Sequence, residues 1–405
     1  MLQSTSMYDV VIIGAGPVGG RLATELASRG ISTLMVEEHA EIGRPFQCAG
    51  LVNPPAMQMV GLEDTILQNV DGALIHSPSG IMVPVGKDGR VRTHVVCRKK
   101  FDQAVVAQAM EAGAHLWLLS KPLNAEVVKD GVNLKIEREG KIVDLKCNLL
   151  IGADGAHSWT RRYFKMGRPK EMMIGFQADV SGLSGKDNWL EMYTGRDIAP
   201  GLFAWVIPTG NNTHRIGVWA RPQDLDGRSV EECYDTLLKH PLWKERFAKA
   251  KEIARYCGPV PCGVIRKPFK DRVMVIGDAA GMAKPTTGGG IGPGFRQVEA
   301  IIEKLVKAVN KDKLDAGSLS SICKPFKAFR KEQDRARALR DLLVTIPDDE
   351  ELDSHFRMFN RPEVLELINA EGDIEHPVPL GMTLLRKVPE FRKLAVKAGF
   401  KLLFA

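Results

Sequence analysis

Long apolar runs and an export signal are both missing from this sequence of 405 residues. Nowhere do roughly 18 or more apolar residues follow one another, which predicts a chain that does not span a membrane. Residues 1–6 are too short and too polar for a secretory signal, and glycines interrupt the apolar run that follows them. The sequence therefore predicts a cytoplasmic protein, which can still lie against the cytoplasmic face of a membrane.

Regularly spaced cysteines are lacking too. The seven cysteines are odd in number and mostly scattered, which fits a reducing compartment better than a disulfide framework. Cys257 and Cys262 stand in Cys-Gly-Pro-Val-Pro-Cys, a spacing unlike the Cys-x-x-Cys pairs of zinc and iron–sulfur sites. We therefore expect no bound metal, and the sequence leaves open whether these two thiols pair.

Charge of one sign does not dominate either. The chain has 56 Lys and Arg against 49 Asp and Glu, a formal net charge of +7. This mild excess fits a mixed, solvated surface or attraction to an acidic partner such as an anionic membrane. Neither a basic stripe interleaved with aromatic residues nor a zinc-finger or RNA-binding signature occurs, so we expect no nucleic-acid partner.

A β-α-β unit opens the chain. Residues 8–13 form a compact β-branched run, a helical pattern follows through Arg29, and residues 32–37 predict a second strand. With 44% hydrophobic and 26% charged residues, the composition is that of a globular protein, and the length allows two or three domains. The predicted fold class is α/β, beginning with a Rossmann-type domain.

Later segments interrupt and resume this first domain. Its predicted pieces, in which helical and buried-strand patterns alternate, are 7–50, 92–174 and 258–311. Short strands and turn residues in the intervening parts predict an inserted, mostly antiparallel β-sheet substrate domain, built from 51–91 and 175–257. The pattern over 312–405 is helical and strongly charged, which predicts a helical C-terminal region.

The first turn carries a dinucleotide-binding motif, Gly14-x-Gly16-x-x-Gly19. It follows a strand, opens a helix, and is followed by Glu37 at the end of the next strand. Gly14 permits the tight turn, Gly16 lets the backbone approach a pyrophosphate, and Gly19 lets the helix pack closely on the strand. We expect Glu37 to accept hydrogen bonds from the adenosine ribose, which disfavours NADP in this site.

Two later segments distinguish FAD from NAD, which the first motif alone leaves open. One is Gly152-Ala-Asp-Gly155 followed by Arg161-Arg162, and the other is Gly277-Asp-Ala-Ala-Gly281 followed by Pro-x-x-Gly-Gly-Gly-Ile at 285–291. Together they resemble the paired signatures of the para-hydroxybenzoate-hydroxylase-type flavoproteins. The resemblance implies that the cofactor is FAD.

The same resemblance assigns residues to the FAD site. Asp154 lies in the first segment and is expected to contact FAD, and Asp278 in the second would bind the ribityl chain. Gly290 and Ile291 would lie under the isoalloxazine ring. A short acidic side chain can accept from ribityl hydroxyls, and a glycine run offers N–H groups to the flavin. The alternative for Asp278 is a simple helix cap.

Within that superfamily the chain resembles the archaeal geranylgeranyl reductases over most of its length. The markers are Ile-Gly-Arg-Pro-Phe-Gln-Cys-Ala-Gly at 42–50, Arg-Lys-Lys-Phe-Asp at 98–102 and Pro-x-x-Phe-x-Trp-x-Ile-Pro at 200–208. The last differs from the family's pocket motif in two places, since Phe203 replaces Tyr and Ile207 replaces Phe. The resemblance implies an enzyme that saturates isoprenoid double bonds of membrane lipids.

Carried over by residue, the resemblance implies FAD contacts at Val18, Glu37, Cys48, Ala49, Gly50, Arg98, Asp278, Gly290 and Ile291. Arg98 suits a pyrophosphate, being a permanent cation with a forked donor geometry, although a surface arginine is the alternative. Cys48, Phe203 and Trp205 are the candidate catalytic residues. Cys48 is either a small packing residue or a reacting thiol, and Trp205 is either core or the wall of a lipid channel.

Other functions remain open at this point. A flavin monooxygenase and a quinone-linked dehydrogenase use the same scaffold, and a non-enzymatic prenyl-lipid escort protein shares it without flavin. No second glycine motif serves a nicotinamide cofactor, so the electron donor is a ferredoxin, a reduced deazaflavin or transiently bound NAD(P)H. Apolar and basic residues at 389–405 predict either peripheral membrane contact or a helix packed on the core.

Overall fold

The computed structural model describes residues 6–45, 48–372 and 377–397. Within these ranges the strands are β1 (Ser6–Ile13), β2 (Thr33–Val36), β3 (Leu51–Val52), β4 (Ile66–Val70), β5 (Gly72–His76), β6 (Met82–Gly86), β7 (Thr93–Val96), β8 (His115–Trp117), β9 (Ser120–Val128), β10 (Gly131–Arg138), β11 (Lys141–Gly152), β12 (Glu171–Ser181), β13 (Trp189–Gly195), β14 (Ala199–Gly210), β15 (Thr213–Ala220), β16 (Lys251–Cys262), β17 (Phe269–Lys270) and β18 (Val273–Val275).

The α-helices of the same ranges are α1 (Pro17–Ala27), α2 (Pro54–Gln58), α3 (Arg98–Glu111), α4 (Trp159–Tyr163), α5 (Val230–Lys239), α6 (Lys244–Phe247), α7 (Ile291–Asn310), α8 (Ala316–Ile322), α9 (Phe326–Leu343), α10 (Asp349–Phe359), α11 (Pro362–Glu371), α12 (Pro377–Lys387) and α13 (Pro389–Lys397). Short 3₁₀ turns occupy Glu63–Thr65, Pro222–Asp224 and Gly277–Ala280.

The larger sheet has the order β17-β18-β11-β1-β2-β8, and β10 and β9 continue from β11 as an antiparallel extension. β1 lies between β11 and β2 and is parallel to both. Val10 and Ile12 pack into one buried cluster with α1 and α7, whereas Val11 and Ile13 pack into another on the opposite side. Burial on both sides explains why β1 is apolar at every one of these positions.

The second sheet has the order β16-β12-β15-β14-β13-β5-β6 and is antiparallel except where β5 runs parallel to β13. Alternate residues point to opposite sides of it. One side, the far face, packs Ala178, Val206 and Ile216 on α5 and α6. The other side, the near face, carries Phe203, Trp205 and Trp219 and is directed at the first domain.

A third, small antiparallel sheet has the order β3-β7-β4. Val52 and Val96 pack there with Phe101 of α3 and Phe295 of α7 in one buried cluster. This packing fixes the chain at Val52, shortly after residues 48–50, where the resemblance places FAD contacts.

The helical C-terminal region is tied to the rest by buried charges on α9. Arg337 and Arg340 both donate to the Glu171 carboxylate at the start of β12, with the nearest distances at 2.7 and 2.8 Å. Gln333 donates to the carbonyl oxygens of Met282 and Ala283 at 2.9 and 3.1 Å. The helix α9 therefore holds the loop that leads to residues 285–291.

These elements confirm the predicted fold class, an α/β protein with a Rossmann-type domain, a mostly antiparallel second sheet and a helical C-terminal region. The domain limits stay predictions. The ladder between β12 and β16 runs from Glu171 opposite Cys262, so its strands extend beyond the interval 175–257.

No helix among the described residues is long and apolar enough to cross a bilayer. In the predicted membrane tail, Phe391 of α13 is buried, at 2% exposure, against the C-terminal helices. Residues 398–405, which include Phe400, Leu402, Leu403 and Phe404 of that prediction, lie outside the described residues.

Candidate cofactor and substrate site

The turn between β1 and α1 contains three glycines whose surroundings differ. Gly14 has a φ of +98°, and a Cβ there would lie 2.5 Å from the Ala153 carbonyl oxygen. A Cβ on Gly19 would collide with the Gly14 carbonyl oxygen. Gly16 has ordinary extended angles, and no atom of the described residues lies within 4 Å of its Cβ position. The fold thus requires glycine at 14 and 19, whereas nothing in the described residues requires it at 16.

That open space adjoins the start of α1. Gly16 is the N-cap of the helix, and no side chain of the described residues caps it. The positive end of the helix dipole and its first N–H groups are therefore available to an anion. This is the arrangement that a dinucleotide pyrophosphate needs.

Glu37 lies beside this turn, just after β2. One carboxylate oxygen accepts from the Ala15 N–H at 3.0 Å, and the other accepts from the His39 N–H at 3.0 Å and contacts the His39 ring at 2.6 Å. Each carboxylate oxygen has two acceptor positions, and the side chain is 14% exposed. Glu37 therefore holds the turn in place and can still accept from a ribose hydroxyl.

Asp278 and Gly290 are in contact, since a Cβ on Gly290 would lie 2.6 Å from the Asp278 Oδ1. The Asp278 carboxylate accepts no hydrogen bond from the described part of the chain, and burial raises its pKa to about 6 while Arg98 opposes the rise. A simple helix cap would accept an N–H bond, so the capping alternative does not describe Asp278. That Asp278 binds the ribityl chain stays a prediction.

Arg98 opens α3 and is largely buried, with 15% of its side chain exposed. It donates to both oxygens of Asp102, at 2.9 and 2.8 Å. Burial alone would lower the pKa of Arg98, but the Asp102 carboxylate and the nearby Cys48 sulfur outweigh burial and raise it. The alternative of a solvated surface arginine is therefore excluded, and Arg98 is a fixed cation beside Cys48.

Val18 and Asp154, two other predicted FAD contacts, also make contacts within the chain. Val18 packs into the space beside Gly277 and Gly294, where added Cβ atoms would touch it, so it brings the starts of α1 and α7 together. Asp154 accepts from the Ser158 hydroxyl at 2.6 Å and from the Thr160 N–H and hydroxyl at 2.8 and 2.9 Å. Asp154 thus anchors α4 next to the glycine turn, and its contact with FAD stays a prediction.

The Cys48-Ala49-Gly50 segment is held by an arginine that the motifs did not reveal. Arg215 of β15 donates to the carbonyl oxygens of Ala49 and Val96, at 2.8 and 3.2 Å. Gly50 has a φ of +75°, and a Cβ there would collide with the Arg215 guanidinium. The Gly50 N–H in turn lies 3.3 Å from the Cys48 sulfur.

The predicted catalytic aromatics lie together on the near face and are joined by a third. Phe203 is paired with Trp219 across the β14–β15 ladder, and the ring centroids are 5.6 Å apart. Trp205 lies opposite Gly217, whose missing side chain leaves the room that its indole fills. Trp219 also reaches the first domain, because a Cβ on Gly288 would lie 3.2 Å from its ring.

The near face therefore spans the gap between two loops of the first domain. On β15, Arg215 meets the 48–50 segment and Trp219 meets Gly288, four residues or about 13 Å apart. The gap between these loops, bounded by Asp278 and Gly290, is where the motif resemblance implies the isoalloxazine. The residues present thus fit FAD, from the turn at Gly16 to the near face.

A row of polar side chains crosses the same face. The Trp205 indole N–H donates to the Gln177 Oε1 at 3.3 Å, and the Gln177 amide donates to Asp179 at 3.4 Å. Asp179 is opposite Arg215 in the β12–β15 ladder, and the closest distance between the two groups is 3.8 Å. Burial raises the pKa of Asp179, and the effect of Arg215 only partly offsets it.

Sequence reasoning missed Gln177, Asp179, Arg215 and Trp219. The alternation within β15 places Arg215, Gly217 and Trp219 on one side, but that signal becomes useful only once the partners of β15 are known. The question left open for Cys257 and Cys262 is answered, since both are free thiols, Cys257 exposed and Cys262 buried. No group of three or more His, Cys, Asp or Glu side chains in the described ranges is placed to hold a metal ion.

Comparison with protein families agrees with this geometry. A family model described as an FAD binding domain matches residues 7–318. A digeranylgeranylglycerophospholipid reductase from Methanocaldococcus jannaschii is 32% identical over 299 residues, which are 72% of this chain and 75% of that protein. Digeranylgeranylglycerophospholipid reductase 2 from Methanopyrus kandleri is 27% identical over 374 residues, covering 90% and 93% of the two chains.

Solved structures show the same fold. A geranylgeranyl bacteriochlorophyll reductase-like protein from Thermoplasma acidophilum has a TM-score of 0.85 and 24% identity, with 98% of this chain and 100% of that one covered. The p-nitrophenol 4-monooxygenase from Pseudomonas putida has a TM-score of 0.71 and 17% identity, with 96% and 98% covered. At these identities the likeness concerns the fold alone, which monooxygenases share.

Proposed function

This chain belongs to the family of flavoproteins with an FAD binding domain and, within it, to the digeranylgeranylglycerophospholipid reductase family, and from that premise we propose that it saturates isoprenoid double bonds of membrane lipids or their precursors. FAD is its cofactor and flavin oxidoreduction its class of chemistry, as the three sequence motifs predicted. The geranylgeranyl chain as substrate is inferred from the names of the relatives.

The observation that carries the proposal is the aromatic part of the near face. The Phe203 ring packs against the rings of Trp205 and Trp219, and Trp219 adjoins the loop at Gly288. An isolated alkene has no carbonyl group that could stabilise negative charge, so a dry site that holds the double bond against the flavin has to supply much of the catalysis. An aromatic surface beside the flavin loop supports such a role.

The chain's own residues divide the remaining work. When bound, FAD supplies the hydride. Gly16 and the start of α1 would take the pyrophosphate, Glu37 the ribose, and Asp278 the ribityl hydroxyls, while Arg98 places a fixed cation nearby. Arg215 holds the 48–50 segment against the near face. For Cys48 both hypotheses stand: it is either a packing residue or a reacting thiol.

Phe203 has a narrower role than its counterpart in the family's pocket motif. It lacks the tyrosine hydroxyl and therefore cannot deliver a proton. Its ring lies 6.4 Å from the Trp205 ring and 5.6 Å from the Trp219 ring. We propose that the Phe203 ring helps to shape the lipid site. The proton has to come from another group.

The partners of the proposed reaction are a lipid surface and an electron donor. The donor is a ferredoxin, a reduced deazaflavin or transiently bound NAD(P)H. Within the tail, the described part packs on its own core, because Phe391 is buried and Arg361 donates to Glu390 at 2.9 Å. Peripheral contact with the cytoplasmic membrane face would therefore rest on residues beyond 397, and liposome flotation of a chain truncated there tests it.

An anaerobic turnover experiment tests the function. The purified yellow protein is reduced with dithionite, mixed with a digeranylgeranyl glycerol lipid, and the lipid is analysed by mass spectrometry. We expect lipid heavier by two hydrogen atoms for each saturated double bond, together with reoxidation of the flavin.

The control is the same reduced protein mixed with a quinone in place of the lipid. If the lipid mass stays unchanged while the quinone reoxidises the flavin rapidly, the lipid reductase function is wrong and a quinone-linked dehydrogenase replaces it. If aromatic acids stimulate flavin reduction by NAD(P)H instead, the monooxygenase alternative replaces it.

A further inference from the structure

The proposed reduction needs a proton as well as a hydride, and the site contains several carboxyl groups that could supply it. Three of them are committed to other contacts. Asp102 accepts from two nitrogen atoms of Arg98, and Asp154 accepts three hydrogen bonds from Ser158 and Thr160. Glu37 accepts from the Ala15 and His39 N–H groups. Each of these three carboxylates is already occupied by donors of the chain itself.

Asp278 is also unsuited to the task. It touches Gly290 at the start of α7, on the side of the first domain where the ribityl chain is expected. Asp179, in contrast, is on the near face and in the same polar row as Trp205. It therefore faces the side on which the substrate would lie.

The pairing of Asp179 is loose. Its closest approach to Arg215 is 3.8 Å, beyond hydrogen-bond distance. The Arg215 guanidinium instead donates to the Ala49 and Val96 carbonyl oxygens. Within the described residues the one hydrogen bond to Asp179, from Gln177, is long, at 3.4 Å. Asp179 is 29% exposed at its side chain, so it opens to the space in front of the sheet. A carboxyl group held this weakly can take up and release a proton.

We propose that Asp179 is the proton donor in the reduction of the isoprenoid double bond. This inference rests on the proposed function. The proton leaves the Asp179 oxygen for one alkene carbon, and the hydride of reduced FAD goes to the other. The π bond breaks, two C–H bonds form, the flavin is oxidised, and the Asp179 carboxylate is then reprotonated from water.

The surrounding groups suit this order of charges. The double bonds of isoprenoids are trisubstituted, so protonation of the less substituted carbon builds positive charge on the tertiary carbon. The faces of Phe203, Trp205 and Trp219 attract such a charge. The adjacent Arg215 stabilises the carboxylate that forms. The same near face therefore provides both the acid and the rings that the resulting charge needs.

The test compares Asp179→Asn with Asp179→Glu and with Asp235→Asn in FAD-loaded full-length protein. Asp235 lies on α5, on the other side of the sheet, and the closest approach of its carboxylate to Lys239 is 3.7 Å. Flavin reoxidation by a digeranylgeranyl glycerol lipid is followed in a single turnover. We expect Asp179→Asn to slow it roughly a hundredfold or more, the usual contribution of a general acid, Asp179→Glu to restore part of the rate, and Asp235→Asn to leave it unchanged.

Two further readouts separate a proton donor from a residue that merely shapes the site. The wild-type rate should fall as the pH rises through the pKa of Asp179, and this dependence should vanish in Asp179→Asn. The other groups facing Asp179 are Arg215 on β15 and Tyr256 on β16, which do not titrate in the range of a carboxyl group. Infrared spectra of the lipid complex should show a protonated carboxyl band that Asp179→Asn lacks.

The outcomes distinguish the two proposals. If the wild type reduces the lipid and Asp179→Asn keeps its rate, its pH profile and the infrared band, Asp179 is not the donor although the reductase function stands. If the wild type itself transfers no hydrogen to the lipid, the proposed function is wrong, and the infrared band then reports only the protonation of Asp179.

Discussion

The two faces of the second sheet each carry an arginine–carboxylate pair, and the pairs behave in opposite ways. On the far face, Arg246 donates to both oxygens of Glu191 at distances from 2.6 to 3.1 Å. Although burial alone would raise the pKa of Glu191, Arg246 lowers it. On the near face the separation of Asp179 and Arg215 is 3.8 Å, and burial raises the pKa of Asp179.

The neighbours of each pair explain the difference. The Glu191 carboxylate also accepts from the Tyr193 hydroxyl, and the Tyr193 ring stacks on His76 with centroids 4.8 Å apart. The Trp243 ring packs edge-on against the rings of both His76 and Tyr193. Arg215, in contrast, donates hydrogen bonds to the carbonyl oxygens of Ala49 and Val96. A carboxylate with matched donors stabilises the fold, and one whose cation is used elsewhere is available for chemistry.

Substituting the carboxylate of each pair should give the largest difference between the two faces, measured as the loss in the free energy of unfolding. Glu191→Gln leaves Arg246 without its carboxylate and should lower the free energy of unfolding by about 3 kcal/mol or more, the usual result for a broken buried pair. Asp179→Asn, in a looser pair whose carboxylate is more exposed, should lower it by less than about 1 kcal/mol. Urea unfolding of the FAD-loaded proteins measures both. Equal losses for the two variants would show that the faces do not differ in this way.

Tryptophans offer a second contrast between the faces. Trp205→Ala should reduce lipid turnover by roughly ten- to a hundredfold with FAD content retained, because the change removes a group that positions the alkene. Trp243→Ala should lower stability and leave turnover per folded molecule unchanged. Turnover and flavin absorbance are recorded on the same samples. A loss of turnover in Trp243→Ala as large as in Trp205→Ala would contradict the separation.

Glu37 offers a third comparison, because it holds its own turn and is also proposed to accept from the ribose. Glu37→Ala should weaken FAD binding by roughly 1–3 kcal/mol, the cost of losing a charged hydrogen-bond partner. The matched control is Glu38→Ala, since the neighbouring Glu38 side chain is 66% exposed. Titration of the apoprotein with FAD gives both affinities. Equal affinities for the two variants would remove Glu37 from the cofactor site.

Acid should lower the free energy of unfolding through two histidines on the far face, by less than the substitutions above. Burial lowers the pKa values of His76 and His214 below the unfolded value of about 6.5. A histidine with a depressed pKa stabilises the fold above the unfolded pKa, and this contribution is lost as the pH falls from the unfolded pKa through the lower folded pKa. The free energy of unfolding should therefore decrease below about pH 6.5, and less so in the double variant His76→Gln with His214→Gln. An identical pH dependence in both proteins would assign the decrease to other groups.

The cofactor half of the site could be predicted from the sequence because its residues are local. Gly14, Gly16, Gly19 and Glu37 lie within one strand–turn–helix–strand unit, where spacing alone fixes their positions. The near face could not, since the contact of Asp179 with Arg215 depends on how β12 pairs with β15. Alternation shows which residues of a strand share a side, but the pairing that brings two strands together is decided by the whole fold.

The C-terminal region shows the same limit. Its helices were predicted from their pattern, but Arg340 donates to the Pro285 carbonyl oxygen at 2.9 Å, at the start of the 285–291 segment. Nothing near Arg340 in the sequence indicates this contact. The 285–291 loop is therefore supported by a helix far along the chain, which motif spacing does not reveal.

The most direct test of the lipid reductase function is the mass of isoprenoid lipids from a host that makes digeranylgeranyl phospholipids and expresses this chain. We expect lipids heavier by two hydrogen atoms for each saturated double bond with the wild type, and unchanged lipids with Gly16→Ala, whose added methyl fills the pyrophosphate space while meeting no atom of the described residues within 4 Å. Unchanged lipid masses in cells that contain the yellow, FAD-loaded wild type would contradict the lipid reductase function.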